Sequence, residues 1–154
     1  MMPYLICAVL LVLLELLYFR FADRFDIIDK PNMRSSHTSV VLRGGGVIFL
    51  VGVWLYALFF GLHYPWFIFG LTLVGLVSFT DDIRSLPDSV RLVVQFTAMF
   101  MMFYQFGILN FHDWWIDLVG LIVCVGIINA YNFMDGINGI TGGYSLAVLV
   151  PLIY

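Results

Sequence analysis

The sequence predicts an all-α bundle of transmembrane helices, and three observations carry that expectation. Hydrophobic residues make up 62% of the 154 positions and charged residues only 11%, where a soluble domain carries about a quarter charged. The apolar residues gather into about six segments, 2–20, 46–62, 66–80, 92–109, 115–134 and 140–154. The seven Lys and Arg residues all fall after the first segment or after the third. With a mean hydropathy of +1.01, the chain reads as an integral membrane protein, and no nucleic-acid partner is expected of it.

Each segment has its own justification. Residues 1–19 lack the basic start of a signal peptide, and their basic residues follow the apolar run, so they read as an uncleaved first span. Several later segments fall short of the ~20 residues of a full crossing, so their ends reach the interface. His63-Tyr64-Pro65 is a tight turn, Asn110 to Trp114 is a slightly longer one, and 21–43 is the one long polar connection. By the positive-inside rule, residues 21–45, 81–91 and 135–139 are cytoplasmic and the N-terminus lies outside. Trp66, Trp114 and Trp115 then sit at the opposite boundary, where belt aromatics belong. Cys7 and Cys124 lie in apolar runs and read as packing residues. Glu15, inside the first span, is expected to snorkel or to pair with Arg20.

That orientation puts every polar cluster on the cytoplasmic side. The first cluster is Asp29-Lys30-Pro31-Asn32-Met33-Arg34-Ser35-Ser36-His37-Thr38, followed by Arg43-Gly44-Gly45-Gly46. Glycines leading into a helix leave backbone N–H groups free for an anion, and Lys30, Arg34, His37 and Arg43 add charge. A basic loop drawn to anionic lipid is the alternative. The second cluster, Asp81-Asp82, ends the third span, where the helix dipole disfavours carboxylates. A divalent cation would compensate them, or Arg84 would. Neighbours on a helix point ~100° apart, so the two carboxylates can serve different groups. The third cluster is Asn129-Ala-Tyr-Asn132-Phe-Met-Asp135-Gly136-Ile-Asn138-Gly139. Its spacing of three puts Asn129, Asn132 and Asp135 on one helix face. A polar helix end with a glycine turn is the plainer reading. Taken together, the clusters point to a metal-assisted phosphate site.

In order along the chain, Asp-Lys-Pro-Asn-x-Arg-Ser-Ser-His (29–37), Arg-Gly-Gly-Gly (43–46), Thr-Asp-Asp-Ile-Arg-x-Leu (80–86), Arg-x-x-x-Gln (91–95) and Asn-Ala-Tyr-Asn-Phe-Met-Asp-Gly-Ile-Asn-Gly-Ile (129–140) resemble the polyprenyl-phosphate N-acetylhexosamine-1-phosphate transferases. The likeness is greater to the N-acetylglucosamine branch than to the muramoyl-pentapeptide branch. It implies transfer of a sugar 1-phosphate from a UDP-N-acetylhexosamine to undecaprenyl phosphate with release of UMP, at the cytoplasmic face of a bacterial inner membrane. It implies Mg²⁺, with Mn²⁺ as an alternative, and is compatible with a homodimer. By the resemblance Asp81, Asp82 and Asp135 are catalytic. Asp82, Asn132 and Asp135 hold metal, and Lys30, Asn32, Arg34, His37, Arg43, Gly44, Gly45, Asn129 and Asn138 bind substrate. Four positions depart from the family pattern: Asn138 stands where many members have Asp, Ser85 where some have a third acid, and Val40 and Leu42 where proline is frequent. Family members are longer, with about ten spans, so residues 1–154 are expected to be the N-terminal part of one transferase domain, inactive alone. A non-catalytic lipid-phosphate-binding or transport-type module is the competing class. A transporter, however, gathers its polar groups at the bilayer midplane, and here they gather at one surface.

Overall fold

The structure, a computed structural model, describes residues 2–29, 41–42, 44–134 and 139–152. Six α-helices lie within them: α1 (Met2–Arg24), α2 (Val47–Phe60), α3 (Pro65–Ile83), α4 (Asp88–Gln105), α5 (Trp114–Met134) and α6 (Ile140–Leu152). A two-residue antiparallel ladder pairs Ile28 with Leu42 and Asp29 with Val41. It draws the α1 end of the long connection beside the α2 end, a pairing the loop-like sequence did not announce.

Length and composition let α1, α3 and α5 cross a membrane, at 23, 19 and 21 residues. At 1.5 Å per residue even α3 runs about 29 Å, close to the hydrocarbon thickness. The helices α2 and α6 are apolar but shorter. The fourth segment departs from the expected 92–109. Pro87 sets its start, so that α4 takes Asp88 and Arg91 into its first turn, and Gly107, at φ +64°, follows its end. Charge inside the helix thus replaces the apolar span that hydropathy alone suggests.

Successive helices pack on one another, α1 on α2, α2 on α3 and so on to α6, and the short turns make neighbours antiparallel. Small residues let the backbones approach, as lipid-embedded packing requires. A Cβ on Gly70 would lie 3.0 Å from the Ala98 carbonyl oxygen, and one on Gly120 would lie 3.2 Å from Phe103. Ile68, Ala98, Phe103 and Val125 are buried at these contacts. Trp54 Nε1 donates to Thr72 Oγ1 at 3.0 Å between α2 and α3. At the aromatic end of the bundle, the Trp66 backbone N–H donates to Gln105 Oε1 at 3.0 Å, so α4 caps the N-terminus of α3. Large apolar side chains such as Leu58 and Phe49, 78% and 77% exposed, cover the outer faces. These are the surfaces a membrane helix bundle presents to lipid.

The alternation brings the end of α1, the start of α2, the end of α3, the start of α4 and the end of α5 to one end of the bundle. Every described residue of the three polar clusters lies at or near that end.

Candidate functional site

The site begins with the divergence of two adjacent carboxylates. Asp81 turns toward α4. Its Oδ1 accepts the Leu86 backbone N–H at 2.7 Å, and its Oδ2 accepts Arg91 Nη1 at 3.0 Å. Arg91 Nη2 donates in turn to Asp88. The compensation that a carboxylate needs at a helix C-terminus is therefore supplied by Arg91 and a backbone amide, and by Arg91 rather than Arg84. Asp82 turns the other way and lines a cavity of about 200 Å³ with Gly44, Gly46, Val47, Leu50, Gly75, Ser78 and Phe79. The ~100° step between helix neighbours has given the pair two environments, one among the donors of α4 and its preceding turn and one on a cavity.

The opposite wall of the cavity is the glycine junction. Gly44 has φ +77°, a region that side chains with a Cβ rarely enter. A Cβ there would lie 2.2 Å from the Tyr18 hydroxyl oxygen and 2.7 Å from Phe79 Cε2. Only glycine lets α1, the junction and α3 meet. Gly46 follows as the N-cap of α2 with no side chain to cap it, and the Val47, Ile48 and Phe49 N–H groups donate to the carbonyls of Gly44, Gly45 and Gly46, so what this helix start brings beside Asp82 is the positive end of its dipole.

Tyr18 and Glu15 were not singled out as site residues by the sequence. Tyr18 lies edge-on to Phe79, with ring centroids 6.4 Å apart, and its hydroxyl feels the charges of Asp82 and Glu15. Glu15 does not pair with Arg20 as expected. Residues five apart lie ~140° around a helix, and Glu15 faces inward instead, with Oε1 3.4 Å from where a Gly45 Cβ would stand. Its Oε2 is buried without a hydrogen-bond partner. One signal was available: Glu15 and Tyr18 are three apart, on the same face of α1.

The amide run divides similarly. Asn129 Nδ2 donates to Gln95 Oε1 at 2.8 Å and to the Val125 carbonyl at 2.9 Å. Both of its N–H groups are thus committed within the bundle, and Oδ1 alone remains to take a donor or cation. Asn132 is exposed in the last turn of α5. Lys30, Asn32, Arg34, His37, Arg43, Asp135 and Asn138 lie outside the described residues. The structure brings Asp82 together with Gly44 and Gly46, puts Gly45 against Glu15, and engages Asp81 and Asn129 with α4.

These donors bear on whether the site can hold Mg²⁺. Among the described residues no three His, Cys, Asp or Glu gather as a metal cage. Mg²⁺, however, is ordinarily held by one or two carboxylates together with substrate phosphates. Asp82, lining a cavity beside the start of α2, supplies one such carboxylate.

Comparison with known proteins matches residues 64–154, which include α3 to α6, to the model of glycosyl transferase family 4. The chain belongs to this family. Its similarity to named members runs further, over 82% of the chain. It is 30% identical over 130 residues to the undecaprenyl-phosphate alpha-N-acetylglucosaminyl 1-phosphate transferase of Thermotoga maritima, and 29% identical over 141 residues to that of Yersinia pestis. It is also 31% identical over 101 residues, 51% of the chain, to the phospho-N-acetylmuramoyl-pentapeptide-transferase of Kosmotoga olearia. The chain spans 42%, 39% and 32% of the lengths of these relatives. No solved structure matches it. The resemblance carried by the polar motifs is thereby established as membership of a phosphoglycosyltransferase family of multi-pass membrane proteins.

Proposed function

We propose that the chain forms part of an enzyme that transfers N-acetylglucosamine 1-phosphate from UDP-N-acetylglucosamine to undecaprenyl phosphate, releasing UMP, at the cytoplasmic face of a bacterial inner membrane. The observation that carries this reading is the cavity in which Asp82 faces the N-terminal glycines of α2. A carboxylate beside the positive end of a helix dipole suits a phosphate group that arrives with a divalent cation. The names of the similar proteins give the acceptor, undecaprenyl phosphate, and the transferred group, N-acetylglucosaminyl 1-phosphate; the UDP donor is carried over from the motif resemblance. The basic end of the bundle supplies the address, because the acceptor phosphate lies in the headgroup plane and the nucleotide sugar in the cytoplasm.

The chemistry asked of the protein is modest. A phosphate monoester has a second pKa near ~6, so its attacking oxygen is already largely ionised at neutral pH. Positioning and charge neutralisation then matter more than a strong base. Asp82 would hold Mg²⁺, with Asn132 and Asp135 as further ligands. When bound, the ion would stabilise charge on the diphosphate and the departing UMP. Gly44 to Gly46 admit the phosphate oxygens to the start of α2 without a side chain in the way. Asp81, bound to Arg91 and to the Leu86 N–H, holds the end of α3 and so aims Asp82.

Mn²⁺ serves as a paramagnetic stand-in for Mg²⁺ in the test. With the chain in nanodiscs containing undecaprenyl phosphate, Mn²⁺ titrations followed by electron paramagnetic resonance should show saturable binding that UDP-N-acetylglucosamine tightens. Asp82→Asn should weaken it by about tenfold or more, while Asp88→Asn, outside the cavity, should leave it near wild type. Equal binding by wild type and Asp82→Asn, or no saturable binding at all, sinks the reading.

A further inference from the structure

Arg91 and Gln95 stand four residues apart on α4 and therefore share one of its faces. Each makes a polar contact with a different neighbouring helix. Arg91 holds Asp81 at the end of α3, at 3.0 Å. Gln95 holds Asn129 on α5, at 2.8 Å. These two partners belong to the two polar clusters. Asp81 adjoins Asp82, which lines the cavity, and Asn129 stands one turn before Asn132. The chain runs from Asp81 to Asn129 through α4 and the turn that follows it, and α4 packs against both α3 and α5.

The Gln95–Asn129 bond is also specific in direction. The Val125 carbonyl can only accept, so the side-chain atom of Asn129 facing it must be the amide nitrogen. That leaves the second N–H of the same nitrogen aimed at α4, where an acceptor is required. Gln95 Oε1 is that acceptor. Among the described residues no other side-chain hydrogen bond joins α4 to α5, whereas the rest of the contact is apolar and tolerant of rotation.

We infer that α4 is a spacer between the two clusters and that Gln95 is a positioning residue: through Asn129 it fixes the rotation of α5, and with it the placement of Asn132 relative to the aspartate pair. This rests on the reading that both clusters serve one site, but its test needs neither substrate nor metal, so the two can fail separately.

The experiment uses the full chain in nanodiscs, with Cys7→Ala and Cys124→Ala removing the native thiols. Nitroxide labels are attached through Ser85→Cys and Phe133→Cys, both at exposed positions, and the distance between them is measured by pulsed electron resonance. Gln95→Met keeps the size and packing of the side chain but removes the acceptor; Gln95→Glu keeps the acceptor. The expected result is one narrow distance for wild type and for Gln95→Glu, and a broadened, shifted distribution for Gln95→Met. Asn129→Leu, which removes the donor from the other side, should reproduce the Gln95→Met result. A side chain that merely fills space predicts the reverse order, Met tolerated and the charged Glu disruptive. A Gln95→Met distribution equal to wild type, or a Gln95→Glu distribution as broad as that of Gln95→Met, overturns the inference.

Discussion

Gly44 concentrates more of the site's geometry than any other described residue. Its φ of +77° would strain any side chain, and the Tyr18 hydroxyl and Phe79 ring occupy the space a Cβ needs. The two effects act together, since relieving the clash would push α1 away from α3 and open the cavity. Gly44→Ala should therefore destabilise the fold by roughly 2–4 kcal/mol, combining a positive-φ penalty with overpacking. Gly46 offers the control: it is right-handed and has nothing within 4 Å of an added Cβ. Gly46→Ala should stay within about 0.5 kcal/mol of wild type. Denaturant unfolding in mild detergent, followed by tryptophan fluorescence, measures both. Equal stability of the two variants would show that the Tyr18–Gly44 contact is not a constraint. The sequence marked three glycines as equivalent; the structure makes the first obligatory for backbone reasons and leaves the third as the open start of a helix. That distinction depends on which residue of α1 reaches across, and no local pattern at 43–46 contains it.

At the scale of elements, the connection between α3 and α4 is set by one carboxylate. Asp81 takes the Leu86 N–H on one oxygen and Arg91 on the other, and so ties the last turn of α3 to the turn after it and to the first turn of α4. Its side chain is only 22% exposed, so the pair is not a freely solvated surface bridge. Replacing Asp81 by Ala leaves the Leu86 N–H and the guanidinium without their acceptors and should cost about 1–3 kcal/mol. Asp81→Asn keeps an oxygen for the Leu86 N–H and should cost less. Thermal unfolding of the two variants in detergent tests the ranking, and an equal loss would mean that the ion pair alone carries the effect. The sequence exposed the Asp-Asp pair and the prediction that its members diverge. It also exposed Arg91 and Gln95 as a spaced motif. It did not show what they bind, because partner choice follows from the rotation of α4 against α3 and α5. That choice also depends on how closely the helices approach, through Gly70 beneath Ala98 and Gly120 beside Phe103, contacts between residues far apart in the chain. The bounds of α4 lie four residues earlier than the apolar run for a local reason: hydropathy places the start of a span after the last charge, whereas Pro87 starts the helix before Asp88 and Arg91.

Across the whole molecule, one asymmetry governs where chemistry can occur. Among the described residues, Arg20, Arg24, Arg84 and Arg91 all belong to the end of the bundle that carries Gly44, Asp82 and Asn132, while the turns between α2 and α3 and between α4 and α5 carry no Lys or Arg. The opposite end has instead Trp66, Trp114 and Trp115, each about half exposed or more, as aromatic residues at a membrane boundary are. The antiparallel order of the helices makes these two ends distinct, and the charge bias is the ground for the proposal that the basic end faces the cytoplasm. The expected outcome is specific to named positions. In cells expressing the chain with Cys7→Ala and Cys124→Ala, a thiol at His63→Cys, in the turn between α2 and α3, should react with a membrane-impermeant maleimide added outside. A thiol at Ser85→Cys, in the turn between α3 and α4, should react only after the membrane is opened. These two positions flank a single helix, α3, so opposite labelling also establishes that its 19 residues cross the bilayer. Labelling of both from outside would return α3 to one surface. The reverse pattern would put the Asp82 cavity on the side where no nucleotide sugar is made, and the reaction proposed for it would lose its substrate.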